Sequence, residues 1–249
     1  MKDLVSVIIT TYNSSNTIER TIMSVINQTY KNIELLIYDD SSKDDTVIIL
    51  NKLLEPLDVK YSINSANENF GGPARGRNWG CSIANGSYIC FLDADDFWKE
   101  TKIEEQLGYF RKHRLDVVST NATTTNNAGF KYVSGAVSVY SMIKRNRLIL
   151  SSVMIKRELL KSLKYIFNED KNFISVEDYE LFLRCAVLNF KIYVIPKELI
   201  YYTVLKDSLS HQDFKENERK RLVVLRKLKV PNLFQYIWKW VVILLYKIK

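Results

Sequence analysis

Asp93, Asp95 and Asp96 stand within four positions, directly after the apolar run Tyr88–Leu92. Like charges packed this tightly repel, and burial raises the cost, so they give a fold nothing unless a cation sits among them. A hard divalent ion such as Mg²⁺ takes one or two carboxylates together with substrate phosphates. The chemistry suggested by these residue types at this spacing is a metal-diphosphate site. The plainer account, that Asp95 and Asp96 cap a helix starting near Lys99, uses one aspartate of the three. A second acidic pair, Glu177-Asp178, opens another predicted helix. A carboxylate there can serve as general base toward a hydroxyl, and acidic residues are also ordinary in a first helical turn. Helix-start N–H groups lower the pKa of Asp178, whereas Glu177 and partial burial raise it, and the balance stays open at this level.

Something must bring these groups together. Leu4–Thr10 and Ile33–Tyr38 are β-rich apolar runs that read as buried strands, and Val59–Ile63 and Tyr88–Asp93 follow as third and fourth. Between them lie helical patterns: one capped by Ser15 or Asn16 and burying Ile18, Ile22, Val25 and Ile26, one at about Asp44–Leu54, and one beginning at Pro73. Strands alternating with helices of this length predict a parallel α/β sheet flanked by helices. Right-handed crossovers then place Thr11–Asn13, Asp39–Ser41 and Asp93–Asp96 on one rim, where open α/β sheets bind ligands. Further on, the pattern predicts a helix over Lys99–His113 and a strand over Asp116–Ser119. Residues 120–147 carry no assignable pattern. Strand-like residues Leu148–Ile155, a helix over Val176–Leu188 and closing strands at Lys191–Ile195 and Leu199–Leu205 complete the series.

The totals set limits. A chain of 249 residues with 47% hydrophobic content buries a substantial core. Cys81, Cys90 and Cys185 lie far apart within apolar patterns, which suits buried thiols in a reducing compartment, and no Cys/His spacing suggests zinc. Met1-Lys2-Asp3 leads straight into a strand, so no secretory signal is expected. Net charge is +8, unevenly spread: residues 1–205 hold 25 basic against 24 acidic side chains, and residues 206–249 hold 11 against 4.

That basic tail has a helical pattern over about Asp213–Lys229, a break at Pro231, and then Leu233–Lys249, rich in aromatic and aliphatic residues. Its uncharged run Trp240–Tyr246 is far shorter than the roughly 20 residues that span a bilayer. Trp238, Trp240 and Tyr246 are types that settle at membrane interfaces. Residues 213–249 thus read as a peripheral anchor on an anionic membrane surface, or as a helix packed on the domain itself. No recognised nucleic-acid-binding fold accompanies the basic cluster, so no nucleic-acid partner is expected.

VSVIITTYN (Val5–Asn13), NQTYKNIELLIYDDSSKDDT (Asn27–Thr46), ARGRNWG (Ala74–Gly80), FLDADD (Phe91–Asp96) and EDYELFLR (Glu177–Arg184) together resemble the ordered motifs of family 2 glycosyltransferases. The similarity runs over about residues 4–205. It implies a GT-A fold over residues 1–205, with residues 206–249 as a helical extension. It also implies inverting transfer of a hexosyl group from a nucleotide-sugar donor, commonly a UDP-sugar, with Mg²⁺ or Mn²⁺. By this resemblance Thr10, Tyr12 and neighbouring Asn13 contact the nucleotide, and Asp40 accepts a hydrogen bond from the base. Asp93 and Asp95 form the pair that holds ribose and metal, with Asp96 beside them, and Asp178 is the catalytic base with Glu177 adjacent. The family's ARN-like segment carries an extra arginine here, which leaves open whether Arg75 or Arg77 faces phosphate. His211 is a candidate late metal ligand or a solvated loop histidine. The expected acceptor is a glycan or lipid-linked hydroxyl, as in bacterial surface polysaccharide assembly, which implies a cytoplasmic protein peripheral to the inner face of the plasma membrane. Two other readings remain: a sugar nucleotidyltransferase, although Thr-Thr-Tyr-Asn-Ser replaces the usual Gly-rich basic loop, and a non-catalytic sugar-nucleotide-binding assembly factor.

Overall fold

The structure is a computed structural model that describes residues 3–125, 134–204, 214–230 and 233–247. Strands β1 (Val5–Thr11), β2 (Ile33–Asp39), β3 (Lys60–Ser65) and β4 (Tyr88–Asp93) run parallel. Their crossovers are the helices α1 (Ile18–Ile26), α2 (Thr46–Leu54) and α3 (Ala74–Ile83). The remainder comprises β5 (Phe97–Trp98), α4 (Lys102–His113), β6 (Val117–Thr124), β7 (Gly135–Val137), α5 (Val139–Lys144), β8 (Met154–Lys156), α6 (Arg157–Leu160), α7 (Glu177–Val187), β9 (Ile192–Tyr202), α8 (Phe214–Lys227) and α9 (Leu233–Lys247). The strands form one sheet in the order β3-β2-β1-β4-β8-β6-β9-β5, with β7 pairing on β9. Beyond β4 the sheet turns mixed, since β8 pairs antiparallel with both β4 and β6.

Because side chains alternate across a strand, β1 feeds two cores. Val5, Val7 and Ile9 pack with α1, α2 and α4 on one side, while Ile8 joins α3, α5 and α7 on the other. Val224 and Leu225 of α8 and Val242 and Ile243 of α9 belong to that second core. The approach of α3 is set by glycine. A Cβ at Gly76 would lie 2.6 Å from the Tyr38 ring, and one at Gly80 2.6 Å from Ile8. These two residues let α3 lie hard against β1 and β2. All three cysteines are free and buried.

Several expectations need correcting. The two closing strands are a single β9, and its pairing with β6 slips between Thr120 and Ala122. Pro196 offers no N–H to a ladder, which accounts for the irregularity in a strand that otherwise continues. Leu148–Ile155 is mostly not a strand: Leu150–Ser152 form a 3-10 turn, held by the Ser152 hydroxyl donating to Ile149 O at 2.7 Å, and only β8 pairs into the sheet. Part of the unassigned stretch is ordered as the end of β6, β7 and α5, whose N-cap Ser138 Oγ accepts from Ser141 N at 3.2 Å.

Candidate active site

The strand tips of β1, β2 and β4 open into a cleft of about 960 Å³, closed on the far side by the start of α7 and by α8. Thr10, Tyr12, Asn13, Asp40, Arg77, Asp93, Asp95, Asp96, Glu177 and Asp178 all line it. Register explains the donor-side row: Thr10 pairs with Tyr38 of β2 and with Asp93 of β4. Tyr12 is half-exposed with its ring free of the core. Asn13 takes a left-handed φ of 48°. It ties two loops together, its N–H donating to Ser42 Oγ and its Oδ1 accepting from Lys43 N, each at 2.8 Å. Asp39 serves its own turn by accepting from Ser42 N. Asp40 accepts from Phe70 N at 3.1 Å, and burial, only partly offset by that N–H and by Gly71, raises its pKa.

The two arginines separate cleanly. Arg75 is exposed, its guanidinium 3.4 Å from the centre of the Phe70 ring, and it does not line the cleft. Arg77 is buried; its Nη2 donates to Asp93 Oδ1 at 2.7 Å and its Nη1 to Glu177 Oε1 at 2.6 Å. Burial works against the Arg77 charge, but Asp93 and Glu177 outweigh it, so its pKa lies above the ordinary arginine value. Arg77 is therefore paired with two protein carboxylates, tying β4 to α7, and it lines the cleft beside them.

Asp178 follows Ser175, which has a left-handed φ of 75°, and sits in the first turn of α7. Its Oδ1 accepts from Tyr179 N at 2.6 Å, and Asn146 Nδ2 approaches Oδ2 at 3.5 Å. Burial first, then the Glu177 charge, push its pKa up to about 7 against the pull of Arg77. A carboxylate poised there can take a proton near neutral pH. The remainder of the EDYELFLR stretch is scaffolding: Tyr179 OH donates to Met142 O, and Arg184 Nε donates to Glu180 at 2.9 Å.

The aspartates after β4 divide their tasks. Asp95 is pushed up to about 6 by burial and by Asp93, with Arg20 opposing. Asp96, expected among the metal ligands, is 1% exposed, and its Oδ1 accepts from Thr203 N at 2.8 Å. The β-turn after β4 turns that oxygen to the end of β9, and Asp96 lines the same cleft as Asp93 and Asp95. Burial and its two acidic neighbours raise the Asp96 pKa well above the usual range. Among the described residues no three acidic, His or Cys side chains gather as a ready cation cage. Two mutually repelling carboxylates do fit an ion that draws its remaining ligands from a diphosphate. His211 lies outside the described residues.

Five side chains at the cleft were not singled out as site residues from the sequence. Arg20 donates from Nη2 to Asp95 O at 3.0 Å and stacks over Phe97. Asn146 sits beside Asp178, and Asn217, Glu218 and Arg221 of α8 form a wall of the cleft. No local spacing marks any of them; only the fold brings them in.

Comparison with known proteins agrees with this geometry. The profile described as "Glycosyl transferase family 2" matches residues 6–171. The chain is 33% identical over 225 residues, 89% of its length and 86% of the relative's, to UDP-Glc:alpha-D-GlcNAc-diphosphoundecaprenol beta-1,3-glucosyltransferase WfaP of Escherichia coli. It is 29% identical to the putative teichuronic acid biosynthesis glycosyltransferase TuaG of Bacillus subtilis, over 96% of this chain and 94% of that one. Among solved structures, TarS 1–349 of S. aureus in complex with UDP superposes with a TM-score of 0.73 at 26% identity, covering 93% of this chain and 68% of that one. Mannosyltransferase PcManGT of Pyrobaculum calidifontis, solved with GDP-Man and Mn²⁺, shares the fold at 19% identity and a TM-score of 0.73, covering 96% of this chain and 68% of that one.

Proposed function

Because this chain belongs to glycosyl transferase family 2, we propose that it transfers a sugar, with inversion, from a UDP-sugar to a hydroxyl of a lipid-linked acceptor in bacterial surface polysaccharide assembly. Family membership selects the glycosyltransferase among the readings left open by the sequence. The observation that carries the reaction is Asp178, held at about 7 in the same cleft as Asp40, Asp93 and Asp95. Tyr12 stacks on the base and Asp40 accepts from its ring N–H, which fixes the nucleotide across the tips of β1 and β2. Asp93, fixed by Arg77, faces the ribose, and Asp95 with Asp93 would hold Mg²⁺ or Mn²⁺. Such an ion, when bound, supplies Lewis-acid stabilisation of the leaving diphosphate. Asp178 takes the proton as the acceptor oxygen bonds to the anomeric carbon and the bond from that carbon to the diphosphate oxygen breaks. The developing oxocarbenium character lies between the two charges.

The UDP preference is supported by the UDP donor in the name of the E. coli relative and by UDP in the TarS complex. A lipid-linked acceptor is supported by the diphosphoundecaprenol in the same relative's name. It implies a protein working at the inner face of the plasma membrane. Asp178→Asn keeps the size of the side chain and removes the base. The expected result is UDP-sugar affinity within about twofold of the parent and turnover lower by about 10² to 10⁴. Isothermal titration with UDP and a radiolabelled transfer assay check the two halves; full turnover by Asp178→Asn would remove it from the base role.

A further inference from the structure

Helix α9 has two opposite faces. Gln235, Lys239, Val242 and Ile243 are buried against the domain. Trp238 Nε1 donates to Tyr140 O at 3.1 Å, and Lys239 Nζ turns inward to donate to Leu228 O at 3.0 Å. The helix is therefore seated, not loose. Its other face leaves Tyr236, Ile237, Trp240, Val241 and Leu244 between 37% and 55% exposed. Their spacing of one, three, one and three residues lays them in a single stripe along the helix. Tyr140, the residue that receives the Trp238 N–H, is itself 42% exposed beside them.

A contiguous apolar stripe of this size marks an interaction surface. The surrounding charge identifies its partner. The sequence from residue 206 on carries eleven basic against four acidic side chains; among the described ones Arg219, Arg226, Lys227 and Lys229 are exposed on and just after α8, whereas Arg221 and Lys239 turn inward. A second copy of this chain would set the same positive excess against itself, which is unfavourable. An anionic surface matches both the stripe and the charge. Among the described residues no helix is long and apolar enough to cross a membrane. Tyr and Trp are the side chains that settle at the headgroup level.

We propose that α9, with the basic end of α8, docks this protein in the plane of an anionic lipid surface. The inference deepens the proposed function, because α8 also supplies the Asn217–Arg221 wall of the cleft. Arg221 is anchored to Lys144 O at the end of α5, the helix against which both α7 and α9 pack. A lipid surface held by α9 thus lies next to the acceptor side of the cleft.

The experiment uses the full chain and vesicles of phosphatidylcholine, alone or mixed with phosphatidylglycerol. In flotation, the protein is expected to rise with the anionic vesicles and to stay down with the neutral ones. The triple substitution Ile237→Ser, Trp240→Ser, Leu244→Ser is expected to lower the bound fraction by about tenfold or more. UDP affinity and slow donor hydrolysis without vesicles remain unchanged, which keeps docking and catalysis separable. Brominated lipids provide a readout in the unmodified chain: they should quench tryptophan fluorescence, and less so in Trp240→Phe. Equal flotation of the triple variant, equal binding to neutral vesicles, or no quenching of the unmodified chain would each overturn the proposal. So would a triple variant that halves the mass in solution and still floats, because the stripe would then be a contact between copies.

Discussion

Burial raises the pKa of Asp178 most, and two charged neighbours then act on it in opposite directions, which can be tested residue by residue. Glu177 raises its pKa and Arg77 lowers it. Glu177→Gln removes the raising charge, so the acidic limb of the pH profile of kcat should move down by about one unit. Arg77→Gln removes the lowering charge and should move the limb up by a similar amount. It also frees Asp93 from its tie, so KM for the donor should rise as well. Profiles at saturating donor and acceptor check both signs, and a common direction would contradict the arrangement. The acidic residues were legible early because their crowding after an apolar run has few structural explanations. The role of Arg77 was not, since its partner Glu177 lies 100 positions away in sequence and one hydrogen bond away in space. Asp96 shows the same limit at short range. Adjacency in sequence does not fix direction in a turn, and its carboxylate went to the Thr203 N–H.

At the level of elements, the position of α3 decides whether Thr10, Asp40 and Arg77 share a cleft. Gly76→Ala would drive a Cβ into the Tyr38 ring and Thr10 Cγ2, at 2.6 and 2.8 Å. Overpacking of this kind destabilises by about 1–3 kcal/mol, and here it should also weaken UDP binding because both neighbours sit at the donor-side strand tips. Gly108 is the contrast: it is exposed within α4, with nothing within 4 Å of an added Cβ. Gly108→Ala should stabilise by about 0.5–1 kcal/mol with no change in UDP affinity. Denaturant midpoints and titrations measure the pair. The strands β1, β2 and β4 were readable as unbroken apolar runs. The end of β6 was not, since Thr120, Asn121 and Thr124 look like a loop and yet are buried, with polar groups answered by partners such as Asn121 O and Ser134. Burial of polar side chains with satisfied hydrogen bonds leaves no trace in a hydropathy pattern.

Across the whole molecule, the crowded acids make stability depend on pH in an uncommon direction. Asp95 and Asp178 ionise near 6 and 7 in the folded chain, against an ordinary 3.8. The native state therefore holds more protons than the unfolded one over that range, and stability should fall as pH rises from about 4 to about 7. Mn²⁺ with UDP should restore it, with a larger rise in Tm at pH 7.5 than at pH 5.5, as read by calorimetry. An equal rise at both values would argue against carboxylates near the bound donor. The family profile ends at residue 171, before α7, α8 and α9 begin. In the proposed reading the donor-side residues thus fall in the first two-thirds of the chain, whereas Asp178 and the opposite wall come from the last third. Exchanging residues 206–249 between relatives is accordingly expected to redirect products without changing which activated sugar is consumed.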